Sequence, residues 1–220
     1  VGNNGLHAEI YARALAAPGW VILHDATLHH FLLGQLTEAE YEQEFVYNYG
    51  EWHRGLAREL WRHRALSGAD ERYFEYGMLR RIAERSRAVI VHNAEAARRV
   101  RRAAPDAAVV EIPHLLDLPQ AMPPAAVIAG AEGPVFGVFG HLRESKRLAA
   151  VLKAFGELRK GRRATLLVQG EFVSADYERS LARLLAQPGV LRLGRLDERE
   201  WWRVAAACDV CLNLRFPSAG

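Results

Sequence analysis

Short apolar runs alternate with longer amphipathic stretches along most of the chain. In the first half, the apolar run at 19–23 predicts a buried strand, and the runs at 88–91 and 109–112 predict two further strands. The second half repeats the pattern, and strands are predicted there over 135–139, 164–168, 190–193 and 210–214. Strands separated by helix-length segments form βαβ units with a parallel sheet. The sequence therefore predicts an α/β fold with doubly wound, Rossmann-like sheets.

Helix signals fill the intervals between these strands. Thr37 and Glu40 have the spacing of a capping box, which opens a helix predicted to continue to about residue 60. Further helices are predicted over 71–86, after Asn93, over 145–158, over 175–187 and after Asp197. The order of strands and helices is thus predicted for most of the chain.

Residues 115–134 break the pattern, because proline, alanine and glycine replace the periodic segments. The segment is predicted to be a linker between a partial first lobe, 1–114, and a partial second lobe, 135–220. Ligands of open parallel sheets bind beyond the carboxyl ends of the strands. We therefore expect two lobes facing a cleft that is lined by the residues following each strand. Because the chain starts and stops inside such patterns, it is expected to be an internal fragment that lacks both ends.

Composition narrows the class of protein. Of 220 residues, 50% are hydrophobic and 25% are charged, which excludes a disordered chain. No apolar run approaches the roughly 20 residues of a membrane-spanning helix. The net charge of +3 comes without a basic stripe or a nucleic-acid motif, so no nucleic-acid partner is expected.

The two cysteines form a Cys-x-x-Cys pair. In redox enzymes such a pair precedes a helix, whereas Cys208 follows one and Cys211 lies in a predicted strand. A zinc site would need two further ligands nearby. We expect two buried free thiols, as in a cytoplasmic, reducing compartment.

Residues 139–147, with the sequence FGHLRESKR, place a glycine and several basic side chains between a predicted strand and a predicted helix. A glycine allows a ligand to approach the backbone, and a helix N-terminus attracts phosphate. Ser145 is expected to cap that helix, with Lys146 in its unfavourable first turn. The segment is either a diphosphate site or a solvated basic turn. The candidate diphosphate-binding residues are Gly140, His141, Arg143, Lys146 and Arg147.

A second group of candidates is rich in histidine: His7, the pair His24-Asp25, and the pair His29-His30. One interpretation is a divalent metal site, although the metal-binding His-Asp pairs of helical phosphohydrolases lie on a helix, not after a strand. A second is structural, and one of His29 and His30 is expected to face the core. The third is a polar cluster that contacts a sugar or phosphate, in which Asp25 orients an imidazole.

Two further sets of side chains allow two interpretations each. Arg98, Arg99, Arg101 and Arg102 form either a solvated helix face or a contact with anionic lipid. Five aromatic side chains are predicted to pack in the core, and the alternative is an acceptor groove or a membrane contact: Trp52, Trp61, Tyr73, Phe74 and Tyr76.

Taken in order, these segments resemble the glycosyltransferases of family 4, which are retaining, use nucleotide sugars and have the GT-B fold. The likeness covers nearly the whole chain. It rests on WVILHD at 20–25, RAVIVHNAE at 87–95, IPH at 112–114, VFGHLRESKRL at 138–148, LLVQG at 166–170, LGRL at 193–196 and ACDVCLNL at 207–214. The combination of GNN at 2–4 with the histidine pairs is similar to a bacterial subgroup of that family.

The resemblance implies transfer of a sugar from a nucleotide-diphosphate donor to a glycan or lipid-linked acceptor in polysaccharide biosynthesis. It gives His24 the catalytic role beside the transferred sugar and Lys146 the neutralisation of the donor diphosphate. It implies no metal and no cofactor, and it places the enzyme in the cytoplasm, with a possible contact at the inner face of the membrane. Asn3, Asn4, His7 and Asp25 are the expected sugar or acceptor contacts. Gly170, Glu171, Gly194 and Arg195 are the expected nucleotide-side positions.

The chain departs from the family pattern in two ways. His141 occupies the position of the arginine that accompanies the lysine, so Arg143 or Arg147 is expected to supply that charge. The donor-site glutamates of the family would follow residue 220, and the fragment alone is therefore expected to be inactive. Two other functions remain open, namely a sugar-nucleotide epimerase of the same fold and a non-catalytic binding module.

Overall fold

The computed structural model of the protein describes residues 1–115, 119 and 121–216. The chain divides into two compact units at residues 116 and 117, inside the predicted linker. We refer to residues 1–116 as the first unit and to residues 117–215 as the second unit. Within the second unit, the N–H of Ala126 in the predicted linker donates to the Arg203 carbonyl at 2.9 Å.

The first unit contains a three-stranded parallel sheet with strand order β1-β2-β3. Its described elements are α1 (Ala8–Ala16), β1 (Trp20–Ile22), α2 (His29–Gln35), α3 (Glu38–Tyr49), α4 (Arg54–His63), α5 (Arg72–Glu75), α6 (Arg80–Arg85), β2 (Ala88–Val91), α7 (Ala94–Ala103) and β3 (Val109–Glu111). The helices and the sheet share one apolar core, in which Tyr41, Phe45 and Tyr73 are fully buried.

The second unit contains a four-stranded parallel sheet with strand order β6-β5-β4-β7. Its described elements are β4 (Val135–Phe139), α8 (Leu148–Arg159), β5 (Thr165–Gln169), α9 (Ala175–Leu185), β6 (Val190–Leu193), α10 (Glu198–Ala206) and β7 (Val210–Leu212). Leu166 and Val168 pack with α8 and α9, whereas Leu167 packs with Val204 of α10. Helices therefore cover both faces of this sheet, and the predicted α/β class with Rossmann-like parallel sheets is confirmed for both units.

Two predicted helices are interrupted, and the predictions of continuous helices are wrong there. The helix from the capping box ends at Tyr49, because Gly50 turns the chain with φ of 90° before α4 begins. The capping box itself is present, with the Glu40 N–H donating to Thr37 Oγ1. The predicted helix over 71–86 is split into α5 and α6 around Met78, whose φ is 54°. The spacing of apolar residues does not reveal where one residue adopts a left-handed backbone conformation and ends a helix.

The prediction that five aromatic side chains pack in the core is correct for some of them. Tyr73 is fully buried, and Trp61 packs against Tyr41 with ring centroids 5.3 Å apart. Trp52 is 99% exposed, so the prediction of core packing is wrong for this residue. It lies in a one-turn 3-10 helix (Glu51–His53) directly after Gly50, a segment with no buried residue. Among the described residues, no helix has both the length and the apolar character needed to cross a bilayer.

Candidate functional site

The carboxyl edge of the first unit's sheet carries a histidine after each strand. The pairing of Trp20 with Ala88 fixes the register of β1 on β2. Continued by four residues, that register sets His24 opposite His92. His114 follows β3, three residues after Glu111 and two residues beyond Ile112, which continues the register opposite His92. Because parallel strands end at one edge of a sheet, all three imidazoles collect there.

These three side chains are in mutual contact. His24 Nδ1 lies 3.1 Å from His92 Nε2, and the rings of His92 and His114 stack with centroids 3.7 Å apart. His92 Nδ1 lies 3.0 Å from the carbonyl oxygen of Ile112. A carbonyl can only accept, so Nδ1 of neutral His92 holds the proton, and its Nε2 accepts from His24 Nδ1–H. We call His24, His92 and His114 the histidine cluster.

The surroundings of His24 favour its neutral form. Burial lowers the pKa of His24, and nearby positive groups, among them the rings of His92 and His114 when protonated, lower it further. A neutral imidazole at pH 7 can accept a hydrogen bond from a sugar hydroxyl or act as a ligand.

The other predicted sugar contacts of the first unit are held by structural hydrogen bonds. Asn3 Oδ1 accepts from the Phe31 N–H at 2.8 Å, and Asn4 Oδ1 accepts from the Leu6 N–H at 3.0 Å. Asp25 Oδ2 accepts from the Asn3 N–H at 2.8 Å. In the described part of the chain, therefore, the Asp25 carboxylate holds the backbone at Asn3. The His24 ring is oriented by His92 and not, as predicted, by Asp25.

His7 lies beside this group. Its ring is 6.5 Å from that of His24, centroid to centroid. A Cβ atom on Gly2 would come within 2.8 Å of the His7 ring and 2.9 Å of the Asp25 carboxylate, so the glycine lets the N-terminal segment pass close to both. The structure thus brings His7, His24 and Asp25 together. His30 is linked to them through Asn3, whose Nδ2 donates to His30 Nδ1 at 3.3 Å and whose N–H donates to Asp25.

His29 is a core residue, as one member of the pair was expected to be. It is fully buried, its Nδ1–H donates to the Tyr76 carbonyl at 2.8 Å, and its Nε2 accepts from the Tyr41 hydroxyl at 2.8 Å. His30 is half-buried, with its Nε2 3.1 Å from the Ser67 carbonyl oxygen. The structural interpretation therefore holds for His29.

The second candidate lies at the carboxyl edge of the second unit's sheet, where β4 ends. Gly140 adopts φ of 90°, and Lys146 folds back so that its Nζ donates to the carbonyl oxygen of Phe139. A Cβ atom on Gly140 would lie only 3.1 Å from that Nζ. The glycine therefore lets the ammonium group sit directly over the end of the strand.

The segment between Gly140 and α8 differs from the prediction. Ser145 is buried in a 3-10 turn (Glu144–Lys146) and does not cap a helix, and α8 begins only at Leu148. The residue before it is Arg147, with left-handed φ of 55° and no side-chain cap on the helix. Lys146 and Arg147 therefore precede the first helical turn, and the predicted conflict with the helix dipole does not arise. Left-handed backbone at a non-glycine residue costs on the order of 1 kcal/mol and is frequent at binding sites.

Several cations lie at this strand end, and none of them forms an ion pair with a described acidic side chain. Burial lowers the pKa of Lys146, and the charges of Arg215 and Arg143 lower it further. The ion pairs found among the described residues of the second unit involve other cations: Arg159, Lys160, Arg179 and Arg192. An anion bound beside Lys146 would stabilise its charged form against the repulsion of these arginines.

Two neighbouring strand ends are tied to Gly140. Gly170, which follows β5, has φ of 124°, and a Cβ atom there would lie 2.0 Å from the Gly140 carbonyl oxygen. Gln169 is buried, and its side chain bridges the Gly140 N–H, at 3.4 Å, and the Gly194 carbonyl, at 3.1 Å. The ends of β4, β5 and β6 thus form one rigid edge, which we call the glycine edge.

The remaining predicted residues of this edge are solvent-exposed: His141, Arg143, Glu171 and Arg195. Glu171 contributes its backbone carbonyl, which accepts from the Leu142 N–H at 2.8 Å.

The chain matches no protein-family model and no curated protein.

The arginine-rich helix α7 is not simply a solvated face. Arg99 is mostly buried, and its guanidinium donates to Thr27 Oγ1 at 3.2 Å and to Glu95 at 3.0 Å. Arg98, Arg99 and Arg102 line a cavity of about 480 Å³ in the first unit, together with Tyr49. The expectation of a fully solvated row is therefore wrong for Arg99.

The expectation of two buried thiols is wrong as well. Cys208 is half-buried and Cys211 is exposed. Burial raises the pKa of the Cys208 thiol to about 11, so it is protonated at neutral pH and a poor nucleophile.

Sequence reasoning missed three residues of these sites as site residues. His92 and His114 each follow a strand, and the signal that could have found them is that all three strands of the first unit are followed by a histidine. Gln169 carries no motif, and its bridging role depends on packing between three loops.

Proposed function

We propose that this chain belongs to a retaining glycosyltransferase of the GT-B type, which moves a sugar from a nucleotide-diphosphate donor to a glycan or lipid-linked acceptor. The observation that carries the proposal is the group of cations at the end of β4, Lys146 with Arg143 and Arg215, which form no ion pair within the described part of the chain. In this proposal the second unit binds the donor diphosphate, and the reaction takes place in the cytoplasm, at the inner face of the membrane when the acceptor is lipid-linked.

The chemistry assigned to the glycine edge is electrostatic. The Lys146 ammonium, with Arg143 and Arg147 close in sequence, neutralises the charge that grows on the departing nucleoside diphosphate. The uncapped N-terminus of α8 adds N–H groups that no side chain satisfies. A pre-formed arrangement of this kind needs no reorganisation as the charge develops.

The role proposed for His24 is to contact the transferred sugar. Its ring is oriented by the hydrogen bond to His92, and its neutral form can accept from a sugar hydroxyl. The acceptor hydroxyl then attacks the anomeric carbon on the face from which the diphosphate leaves. The C–O bond to the donor phosphate breaks, and the hydroxyl proton is carried away by the departing phosphate.

Replacing Lys146 with alanine is expected to weaken nucleoside-diphosphate binding at least tenfold, because it removes the most buried cation of the site. Isothermal titration with UDP, GDP and ADP measures the affinity. Lys153→Ala is the matched control, since Lys153 is an exposed lysine on α8, and it should bind like the parent protein.

Equal affinities of Lys146→Ala and the parent would contradict the proposal and favour a non-catalytic module. An epimerase is separated by its products. Incubation with nucleotide sugars and no acceptor should leave the sugar configuration unchanged, whereas an epimerase would convert it.

A further inference from the structure

The histidine cluster has the composition of a metal site. His24, His92 and His114 each offer one ring nitrogen, and the three nitrogens lie within 4.8 Å of one another. We propose that the histidine cluster binds a divalent first-row transition metal, with Zn²⁺ as the ion that fits it best. The proposal rests on the first unit alone, and it stands whether or not the chain binds a nucleotide.

The distances are close to those of a bound metal. Zn²⁺ holds imidazole nitrogens at about 2.0–2.1 Å, so two nitrogens of a tetrahedral site are about 3.3 Å apart. The separation of His24 Nδ1 and His92 Nε2, 3.1 Å, is within a few tenths of an ångström of that value. His114 is exposed on the segment after β3, so a rotation of its side chain is not opposed by core packing.

The ring of one proposed ligand, His92, is already oriented by a hydrogen bond on the side away from the metal. In metalloproteins the second nitrogen of a ligating histidine usually donates to a carbonyl or carboxylate, which fixes the ring and leaves the other nitrogen free for the metal. His92 has this arrangement, with Nδ1 donating to the Ile112 carbonyl at 3.0 Å and Nε2 pointing to His24. A metal would replace the single proton that His24 and His92 share.

The ligand chemistry selects the class of ion. Three imidazoles suit zinc, copper or nickel, whereas calcium and magnesium prefer oxygen ligands. Three protein ligands leave a fourth position for water or for a substrate atom, as in catalytic zinc sites. Because His24 also serves the proposed sugar transfer, a bound metal would compete with the sugar for this ring.

Cobalt titration of the metal-free protein tests the site, since Co²⁺ reports its ligands in the visible spectrum. We expect one equivalent to bind with the d–d absorption of a tetrahedral nitrogen site and without a thiolate charge-transfer band. Added Zn²⁺ should displace it with a dissociation constant below micromolar. Long-range ¹H–¹⁵N spectra of the unaltered protein should then show three metal-shifted imidazoles.

Variants separate the cluster from the other candidate ligands. His92→Ala and His114→Ala should each weaken binding at least tenfold, whereas His63→Ala, on the surface of α4, should not change it. The double variant Cys208→Ser/Cys211→Ser controls for the thiol pair and should also bind normally. The proposal is overturned by a thiolate band, by normal binding in both cluster variants, or by no binding of Co²⁺ and Zn²⁺ at tens of micromolar. The spectra of the unaltered protein decide the outcome even if a variant does not fold.

Discussion

Gly170→Ala is expected to destabilise the second unit by about 3 kcal/mol or more and to abolish nucleoside-diphosphate binding. The added Cβ would lie 2.0 Å from the carbonyl oxygen and 2.8 Å from the carbonyl carbon of Gly140. Both atoms are backbone, so no side chain can swing away. The φ of 124° adds strain for any residue other than glycine.

The same clash is expected to disturb the proposed diphosphate site. Gly140 is the residue over which Lys146 folds, and its N–H is held by Gln169. Pushing the Gly140 carbonyl away from Gly170 therefore moves the loop that carries the cations. Stability and nucleotide affinity are expected to fall together.

Urea denaturation and calorimetric titration measure these two effects. Gly194→Ala is the matched control, since Gly194 also ends a strand of the glycine edge, yet an added Cβ would meet no atom within 4 Å. This control should lose less than about 1 kcal/mol. If Gly170→Ala were as stable as Gly194→Ala, the close packing of the β4 and β5 ends would be refuted.

Acidification from pH 7 to pH 5 is expected to remove about 2 kcal/mol from the free energy of unfolding of the first unit through His29 alone. Burial lowers the pKa of His29 to about 3, and the positive charge of a protonated His30 acts in the same direction. The carbonyl of Tyr76 and the carboxylate of Asp70 oppose the shift without reversing it. The hydroxyl of Tyr41 donates to Nε2, so a proton on Nε2 would require this hydroxyl to turn and accept instead.

Acidification favours the state of the protein in which His29 binds the proton. Between the folded pKa of about 3 and the unfolded pKa of about 6.5, His29 is protonated in the unfolded chain and neutral in the folded one. Lowering the pH through this window therefore favours unfolding. Stability from this group is complete above pH 6.5 and falls by about 1.4 kcal/mol for each pH unit below it.

His29→Gln isolates the effect, because an amide can donate to Tyr76 and accept from Tyr41 but does not titrate. Urea denaturation of the parent and the variant at pH 7 and pH 5 gives a double difference in which the other groups cancel. The loss of stability on acidification should be about 2 kcal/mol smaller in the variant. The surface variant His63→Gln should behave like the parent. An unchanged loss in His29→Gln would show that His29 is protonated in the folded protein.

The sequence predicted the strands and most helix starts correctly for identifiable reasons. The strands are continuous apolar runs, as is typical of parallel sheets, and Thr37, Asn93 and Asp197 carry the side chains that cap helices. The prediction of a buried strand is wrong at Trp20 and Ile22 of β1, which are 75% and 46% exposed. The breaks at Gly50 and Met78 were not predictable in the same way, since each depends on one residue with positive φ. The helix α1 was missed altogether, because its start at Ala8 has no side-chain cap.

The candidate sites were predictable to the extent that parallel strands end together. Applied to the sequence alone, this rule places His24, Gly140 and Gly170 at strand ends. It could not show that Asn3 bonds to backbone or that Ser145 is buried, because those facts depend on how loops pack. Tertiary hydrogen bonds of this kind have no local signature in sequence.

The most direct test of the account is an amide NMR titration of the ¹⁵N-labelled protein with UDP, GDP and ADP. If the cationic end of β4 is the diphosphate site, the amide signals of Gly140, Gly170 and Gly194 should shift together and saturate with one affinity. The signals of the arginine-lined cavity, such as Arg99 and Arg102, should stay in place. Shifts confined to that cavity, or no shifts at millimolar nucleotide, would contradict the central claim.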